Sequence, residues 1–311
     1  MGRPHLVFFL LLFRLVGVGG EEYVVATYNV ENLFDAVEDG AEYDEFRPSS
    51  FWTEEKVLVR LEAVSRVVRS LDADVLILQE VENERVLGRL VSGYLADAGY
   101  RWHFLPEEEG AVHVAVLSRI PVEGVRVHAL KDPRVAVLRS VVEVEYRLGG
   151  EQVFLFGVHL ISRAGPAWRD EIRRNQLFLI ARRLEEIRRT APGAHVLVGG
   201  DFNMEADEVE TFFDRALFPQ DVHSVWSMMV PGTMPSGSYW YEGRWERIDG
   251  FFFTEGLRDG VGLDVTGGEV MAFPWLLDER GRPWSWDMGT GSGYSDHLPV
   301  KVILTDLTRM K

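Results

Sequence analysis

Val196-Leu197-Val198-Gly199-Gly200-Asp201-Phe202-Asn203 decides how this chain is read. Its apolar, β-branched start fits a buried central strand. The two glycines let the backbone turn tightly and leave room for a close approach. Asp201 and Asn203 stand two residues apart, so both project to one side. A carboxylate and an amide so placed can hold a water molecule and aim it. The alternative is a strand ending in an ordinary polar turn, and it loses ground because the same design recurs.

Val24-Val25-Ala26-Thr27-Tyr28 runs into Asn29 and Glu31, and Val75-Leu76-Ile77-Leu78-Gln79 runs into Glu80. Val153-Phe154-Leu155-Phe156-Gly157-Val158 runs into His159. Two strands are built the other way round: Asp249 precedes Phe251-Phe252-Phe253, and Asp296-His297 precede Leu298-Pro299-Val300. If the first set runs up a sheet and the second runs down, every polar group lands on one rim. Such a cluster is costly unless it is solvated or binds a cation. Ligands in α/β folds sit at strand ends of this kind.

A length of 311 residues allows one large domain or two small ones. No proline- or serine-rich linker divides the chain, so residues 21–311 read as one domain. A hydrophobic fraction of 46% suffices for a core, and a mean hydropathy of -0.05 argues against an integral membrane protein. There is no cysteine, which excludes disulfides and thiolate sites and leaves oxygen and imidazole as metal ligands. Residues 1–20 combine Arg3 and His5, a short apolar run and small residues ending at Gly20, the pattern of a signal peptide. Secretion or periplasmic export follows as an expectation, with no stable membrane insertion after processing. A retained anchor is the alternative. Lys and Arg number 33 against 49 Asp and Glu, a formal charge of -16. Residues 1–20 hold two arginines and no acid, so the processed chain would carry -18. That balance lacks the basic footprint of a tight nucleic-acid binder. It does not forbid cleavage of phosphate esters, because a local metal can supply positive charge.

Residues 35–50 are acidic and turn-rich and read as a surface loop. Thr53 is the expected N-cap of a helix over 54–70, with Val57, Leu61, Val64 and Val68 on one face. A second helix is expected over 84–96, and a strand over 112–117. Another strand is expected over 135–146 with Arg139 inside it, followed by a hairpin turn at Gly149-Gly150. Pro166 can open the next helix. Ile172, Leu179, Ile180, Leu184 and Ile187 would line one face of that helix. Arg169, Arg173, Arg174, Arg182, Arg183, Arg188 and Arg189 would decorate the rest as a solvated surface. Residues 226–246 and 271–293 read as long loops. Trp275, Trp284 and Trp286 read as loop packing.

Six segments carry a resemblance to one family: Tyr28-Asn29-Val30-Glu31-Asn32-Leu33-Phe34-Asp35, Gln79-Glu80-Val81-Glu82-Asn83, Ala115-Val116-Leu117-Ser118-Arg119, Gly157-Val158-His159-Leu160, Gly200-Asp201-Phe202-Asn203, and Arg247-Ile248-Asp249 through Tyr294-Ser295-Asp296-His297-Leu298-Pro299-Val300. Together they resemble the endonuclease/exonuclease/phosphatase superfamily, and the opening segment resembles an exported bacterial branch of it. The resemblance implies an α/β (α+β), deoxyribonuclease I-like fold. Two mixed β-sheets would pack face to face with helices outside, a four-layer sandwich. It implies a Mg²⁺ site, open to Mn²⁺, with Glu80 as the main ligand, Asn29 and Asp296 completing it and Glu31 as a second acidic contributor. It also implies that Asp201 and Asn203 orient or activate the attacking water, and that His159 and His297 flank the phosphate. Asp249 would hydrogen-bond an imidazole, that of His297 first. Arg139 falls at a phosphate-contacting position.

The implied function is divalent-metal phosphodiester hydrolysis by a monomer, with nucleic acid ahead of lipid as substrate. A phosphomonoesterase, or a lipid enzyme acting on sphingomyelin or inositol phosphate headgroups, is the alternative with the same core. A non-enzymatic binding module is the alternative from another class. The chemistry suits these residues: a hard cation offsets phosphate charge, and histidine titrates in the useful range. Two expectations concern the surroundings. Arg119, Arg139, Arg163 and Arg247 are taken as rim cations. The tyrosine that some nuclease members place between the second and third motifs has no counterpart. His5, His103, His113, His128, His195 and His223 are read as structural or surface residues.

Overall fold

The computed structural model describes residues 20–216, 222–230 and 235–309; the signal peptide expected over residues 1–20 lies, apart from Gly20, outside them. In chain order the elements are β1 (Glu22–Leu33), α1 (Glu54–Leu71), β2 (Val75–Val81), α2 (Glu84–Arg89), β3 (Trp102–Phe104), β4 (His113–Ser118), β5 (Gly124–His128), β6 (Val141–Leu148), β7 (Glu151–His159), α3 (Arg169–Thr190), β8 (His195–Asp201) and α4 (Ala206–Ala216). They continue with β9 (Val222–Ser224), β10 (Tyr239–Tyr241), β11 (Arg244–Glu246), β12 (Asp249–Thr254), β13 (Leu263–Val270) and β14 (Val300–Asp306).

Two mixed six-stranded sheets form, in the orders β13-β14-β1-β2-β4-β3 and β5-β6-β7-β8-β12-β9. The alternation of apolar residues explains the layering. On β2, Val75 and Ile77 face the core between the sheets, while Leu76 and Leu78 join the layer beneath α1. A central strand buried on both faces reads as a continuous apolar run. The helix α1 buries Val57, Leu61, Val64 and Val68 on that outer layer. On the other sheet α3 contributes Leu177, Ile180, Leu184 and Ile187, and Phe213 of α4 lies 6.1 Å from the Phe252 ring. The result is the expected four-layer sandwich of helices outside two packed sheets.

The glycines of the deciding stretch act in this packing. A Cβ on Gly199 would stand 2.2 Å from Phe251 Cε1 and 3.1 Å from Ile77 of the opposite sheet, and Gly157 faces Val114 and Ile77 in the same way. Their missing side chains let the sheets approach closely.

Strand directions gather the rim. β1 pairs parallel with β2, and β7 parallel with β8, with His159 opposite Asp201. β12 runs antiparallel to β8 and sets Asp249 opposite Asp201, while β14 runs antiparallel to β1 with Val300 opposite Thr27.

Several local expectations are corrected. β6 begins at Val141, so Arg139 lies in the irregular segment before it rather than inside a strand. α2 ends at Arg89 and passes into one wide turn, Leu90–Tyr94, instead of continuing to 96. Thr53 holds the N-cap position of α1, but its side chain accepts nothing from the helix. Pro166 precedes α3 by a turn, its carbonyl accepting the Arg169 N–H at 3.0 Å. Arg173 and Arg183 leave the solvated face. Arg173 is buried and donates to the Ile161 carbonyl, and Arg183 grips Glu143 through both oxygens at 2.8 and 2.7 Å. Residues 226–246 carry the β10–β11 hairpin. Trp286 and Trp275 pack in the 271–293 loop, with Arg60 over the Trp286 ring at 4.8 Å and Arg66 over Trp275 at 4.3 Å, whereas Trp284 is exposed. No described helix is long and apolar enough to cross a membrane.

Candidate active site

The rim begins with two backbone irregularities. β1 does not stop at Asn29 but bulges between Asn29 and Leu33, and β2 bulges between Leu78 and Val81. Glu31, Asn32, Glu80 and Asn203 all adopt left-handed φ values, 51°, 63°, 67° and 49°. Non-glycine residues in that region carry strain that the surrounding structure must hold, and such strain gathers at functional sites. Here the bulges break the alternation and turn the Glu80 and Glu31 side chains off the sheet.

Buried hydrogen bonds hold the cluster. Asn29 Nδ2 donates to Glu80 Oε1 at 3.2 Å and to Asp201 Oδ2 at 3.1 Å, while its Oδ1 accepts the Glu31 N–H. Glu80 Oε2 accepts the Asn32 N–H at 2.9 Å. Asp201 Oδ1 accepts the Asn203 N–H at 2.8 Å, and Asn203 Nδ2 donates to Asp201 Oδ2 at 3.2 Å and to the Leu160 carbonyl at 3.1 Å. His159 Nε2 lies 3.5 Å from Asp201 Oδ2 and 3.8 Å from Glu80 Oε1. His297 Nδ1–H donates to Asp249 Oδ2 at 2.8 Å, and Ser238 Oγ donates to the same oxygen at 2.7 Å. The expected Asp249–His297 pair is therefore present. One ligand atom each of Asp201, Asp249 and His297 falls within 4.8 Å of the others.

The predicted metal set divides. Glu31 is engaged beside Asp296: its carboxylate accepts from Ser285 Oγ and from the Trp286 and Asp296 N–H groups at 2.8 and 3.0 Å. It fixes the loop that carries Asp296. Asn29 likewise presents its amide nitrogen to the carboxylates. Glu80 and Asp296 are the carboxylates left to hold a cation, with Asn29 beside them. The residues fit a hard ion, for two reasons. Glu80 and Asp296 offer oxygen donors. The Asp296 carboxyl is held above its ordinary range by desolvation and then by Glu31 and Glu80, against the pull of His297. Its side chain keeps 39% exposure, so the crowded carboxylates are what a cation would relieve.

The two histidines are unlike. Burial holds His159 well below the usual imidazole range, and the charges of Arg139 and His297 add to this. Burial opposes the charged form of His297 too, but Asp249 and Asp296 outweigh it and raise its pKa well above the ordinary value. The opposite shifts favour the charged form of His297 and the neutral form of His159. The Asp201 carboxyl is pushed up to about 7 by burial and then by Asp249.

The rim arginines separate on inspection. Arg119 lies at the opposite end of the sheet, where it meets Asp72 and the Ala98 carbonyl. Arg163 binds buried Glu246, and Arg247 bonds the Ser236 carbonyl and stacks over Trp226. Arg139 lines an open cleft of about 760 Å³ with Tyr43, Ile161, Ser162 and Arg169.

Two residues escaped the sequence reading. No tyrosine enters from between the second and third motifs, but Tyr239 on β10 sets its ring 4.6 Å from that of His297. Arg60 is fully buried in the apolar stripe of α1 and donates to the Val30, Glu31 and Tyr294 carbonyls, bracing both rim loops. Its position one residue before Leu61 in that stripe was the available signal.

A profile of the endonuclease/exonuclease/phosphatase family matches residues 24–306. No curated protein sequence matches the chain. Among solved structures, truncated Caenorhabditis elegans TDP2 superposes with a TM-score of 0.61 at 20% identity, covering 93% of this chain and 99% of that one. Beta toxin 275-280 from Staphylococcus aureus gives 0.61 at 17% identity over 90% and 99%. The human Nocturnin catalytic domain with bound sulfate gives 0.57 at 17% identity over 92% and 94%. At these identities the structures attest the fold alone, whereas the profile spans nearly every element from β1 to β14: the chain belongs to the endonuclease/exonuclease/phosphatase family.

Proposed function

We propose that this protein is a divalent-metal-dependent phosphodiester hydrolase, acting as a monomer on nucleic acid with little sequence preference. The observation that carries the reading is the hydrogen-bonded Asp249–His297 pair facing Asp201 and Asn203 across one buried rim, with Glu80 beside them. A Mg²⁺ ion, or Mn²⁺, held by Glu80 and Asp296 would offset the phosphate charge and favour departure of the ester oxygen. The protein's own groups do the rest. Asn203 and Asp201 hold the attacking water, and the Asp201 carboxylate takes its proton as the water oxygen bonds to phosphorus. His297, kept cationic by Asp249, meets the charge growing on the phosphoryl oxygens. His159 donates a hydrogen bond from Nε2 without adding charge. The P–O ester bond then breaks, the leaving oxygen takes a proton from solvent, and Asp201 returns to solvent the one it gained.

Nucleic acid is placed ahead of lipid on the open cleft, where Arg139 and Arg169 can meet backbone phosphates while Asp39 and Glu109 on the same lining weaken the hold. The net charge of -16 weakens long-range capture, so cleavage should be slow and should fall as salt rises. Purified protein with single-stranded DNA, duplex DNA and RNA at low salt and Mg²⁺ or Mn²⁺ tests this. Failure on all three, with hydrolysis of a choline- or inositol-headgroup ester, would move the substrate to the lipid alternative. Export accompanies this reading, and a mature N-terminus near Glu21 in protein from the native host is its check; an intact Met1 in the membrane fraction would refute it.

The pH dependence has a definite sign. Asp201 must be ionised, so the rate climbs as pH rises through about 7. His297 must be charged, so the rate falls at higher pH, through its raised pKa. Asp249→Asn removes the main carboxylate holding that pKa up. The alkaline limb is therefore expected to move to lower pH while the fold persists. An unmoved limb in the variant would show that His297 does not govern it.

A further inference from the structure

We propose that Asp39, Glu42 and Glu82 form a second cation site, of calcium type, that clamps the 35–50 loop to the end of β2. It shares no residue with the catalytic rim and requires neither its chemistry nor its substrate. One carboxylate oxygen from each of the three falls within 4.8 Å of the other two, about twice the Ca–O distance of ~2.4 Å. Two of the three are buried, where carboxylates seldom lie without a paired charge.

The hydrogen bonds leave one oxygen unaccounted for. Glu82 is 2% exposed. Its Oε2 accepts the Asp35 N–H at 2.7 Å, but its Oε1 is buried and has no partner among the described residues. A buried carboxylate oxygen left unpaired costs free energy that a cation would recover. No donor among the described residues reaches that oxygen: the nearby Asn83 and Arg85 donate to Asp35 instead. Glu42 is occupied by the Asp39 and Gly40 N–H groups, which shape the loop into a tight turn around its carboxylate. Arg85 brings positive charge to Asp35 and, at 3.4 Å, to Asp39, but does not reach Glu82 Oε1.

All donors are carboxylate oxygens, so the ion is hard and divalent. Asp39 is exposed, which leaves one side of the site open for water to complete a coordination shell. Calcium accepts such irregular shells of 6–8 oxygens, whereas Mg²⁺ demands near-ideal octahedra and loses its waters reluctantly. Binding would fix the loop residues Tyr43, Gly40 and Ala41 that border the Arg139 cleft.

Calorimetric titration of CaCl₂ and thermal melting decide the matter, with Glu80→Gln protein used so that rim binding does not intrude. One calcium ion is expected to bind and to raise Tm by about 3 °C or more at saturation. Asp39→Asn, at an exposed position that tolerates the change, should weaken calcium at least about 10-fold. Asp39→Asn with Glu42→Gln should abolish the Tm shift. No heat and no Tm shift with calcium, or an unchanged affinity in Asp39→Asn, would overturn the site. Mg²⁺ binding as tightly as calcium would overturn the choice of ion.

Discussion

Asp201→Asn is expected to lower turnover by about 10³-fold while leaving the fold intact. The exchange is isosteric at a side chain 2% exposed, so packing hardly changes. The Asn203 N–H keeps an acceptor at the Oδ1 position. What disappears is the carboxylate that takes the proton of the attacking water. Its neighbour Oδ2 now becomes an amide that meets the donating groups of Asn29 and Asn203, so a small loss of stability accompanies the larger loss of rate. Near-ultraviolet circular dichroism separates the two effects. Activity within about 10-fold of the parent protein would remove Asp201 from the proton transfer.

Glu80→Gln carries the second large effect, a loss of about 10²-fold or more with weakened metal binding. The substituted amide would keep an oxygen for the Asn32 N–H, so the left-handed backbone at that position stays supported. It would lose the charge that a hard cation needs. The half-saturating Mg²⁺ concentration should rise, and higher Mg²⁺ should recover part of the rate. A variant with unchanged metal dependence would place the cation elsewhere, the Asp201–Asp249–His297 cluster being the other carboxylate group at the rim.

The rim was legible because it is written at strand ends. Apolar runs that stop on Glu80, His159 and Asp201, or start after Asp249 and His297, fix direction as well as position, and the observed registers put them together. The core was legible through the same runs. What hid from the sequence was whatever depends on a partner distant in the chain. Glu31 carries the right charge in the right motif, yet the 285–296 loop claims its carboxylate. Arg119 follows a strand that descends from the rim, so it ends on the far side with Asp72. Arg163 and Arg247 are consumed by Glu246 and by Ser236 and Trp226. Arg173 and Arg183 look solvated by helical spacing but find a carbonyl and Glu143. Tyr239 comes from a hairpin inside what reads as loop, because three-residue strands carry too little periodicity to register. The bulges at Glu31 and Glu80 leave no mark in residue type either, since glutamate is not what a left-handed backbone selects.

Hydrolysis of a generic phosphodiester, bis-p-nitrophenyl phosphate, with Mg²⁺ and then with excess chelator tests the central claim most directly. Turnover that needs the added metal, falls to background in chelator and is lost in Asp201→Asn is the predicted result. Equal turnover in chelator, or full turnover by Asp201→Asn, would contradict it.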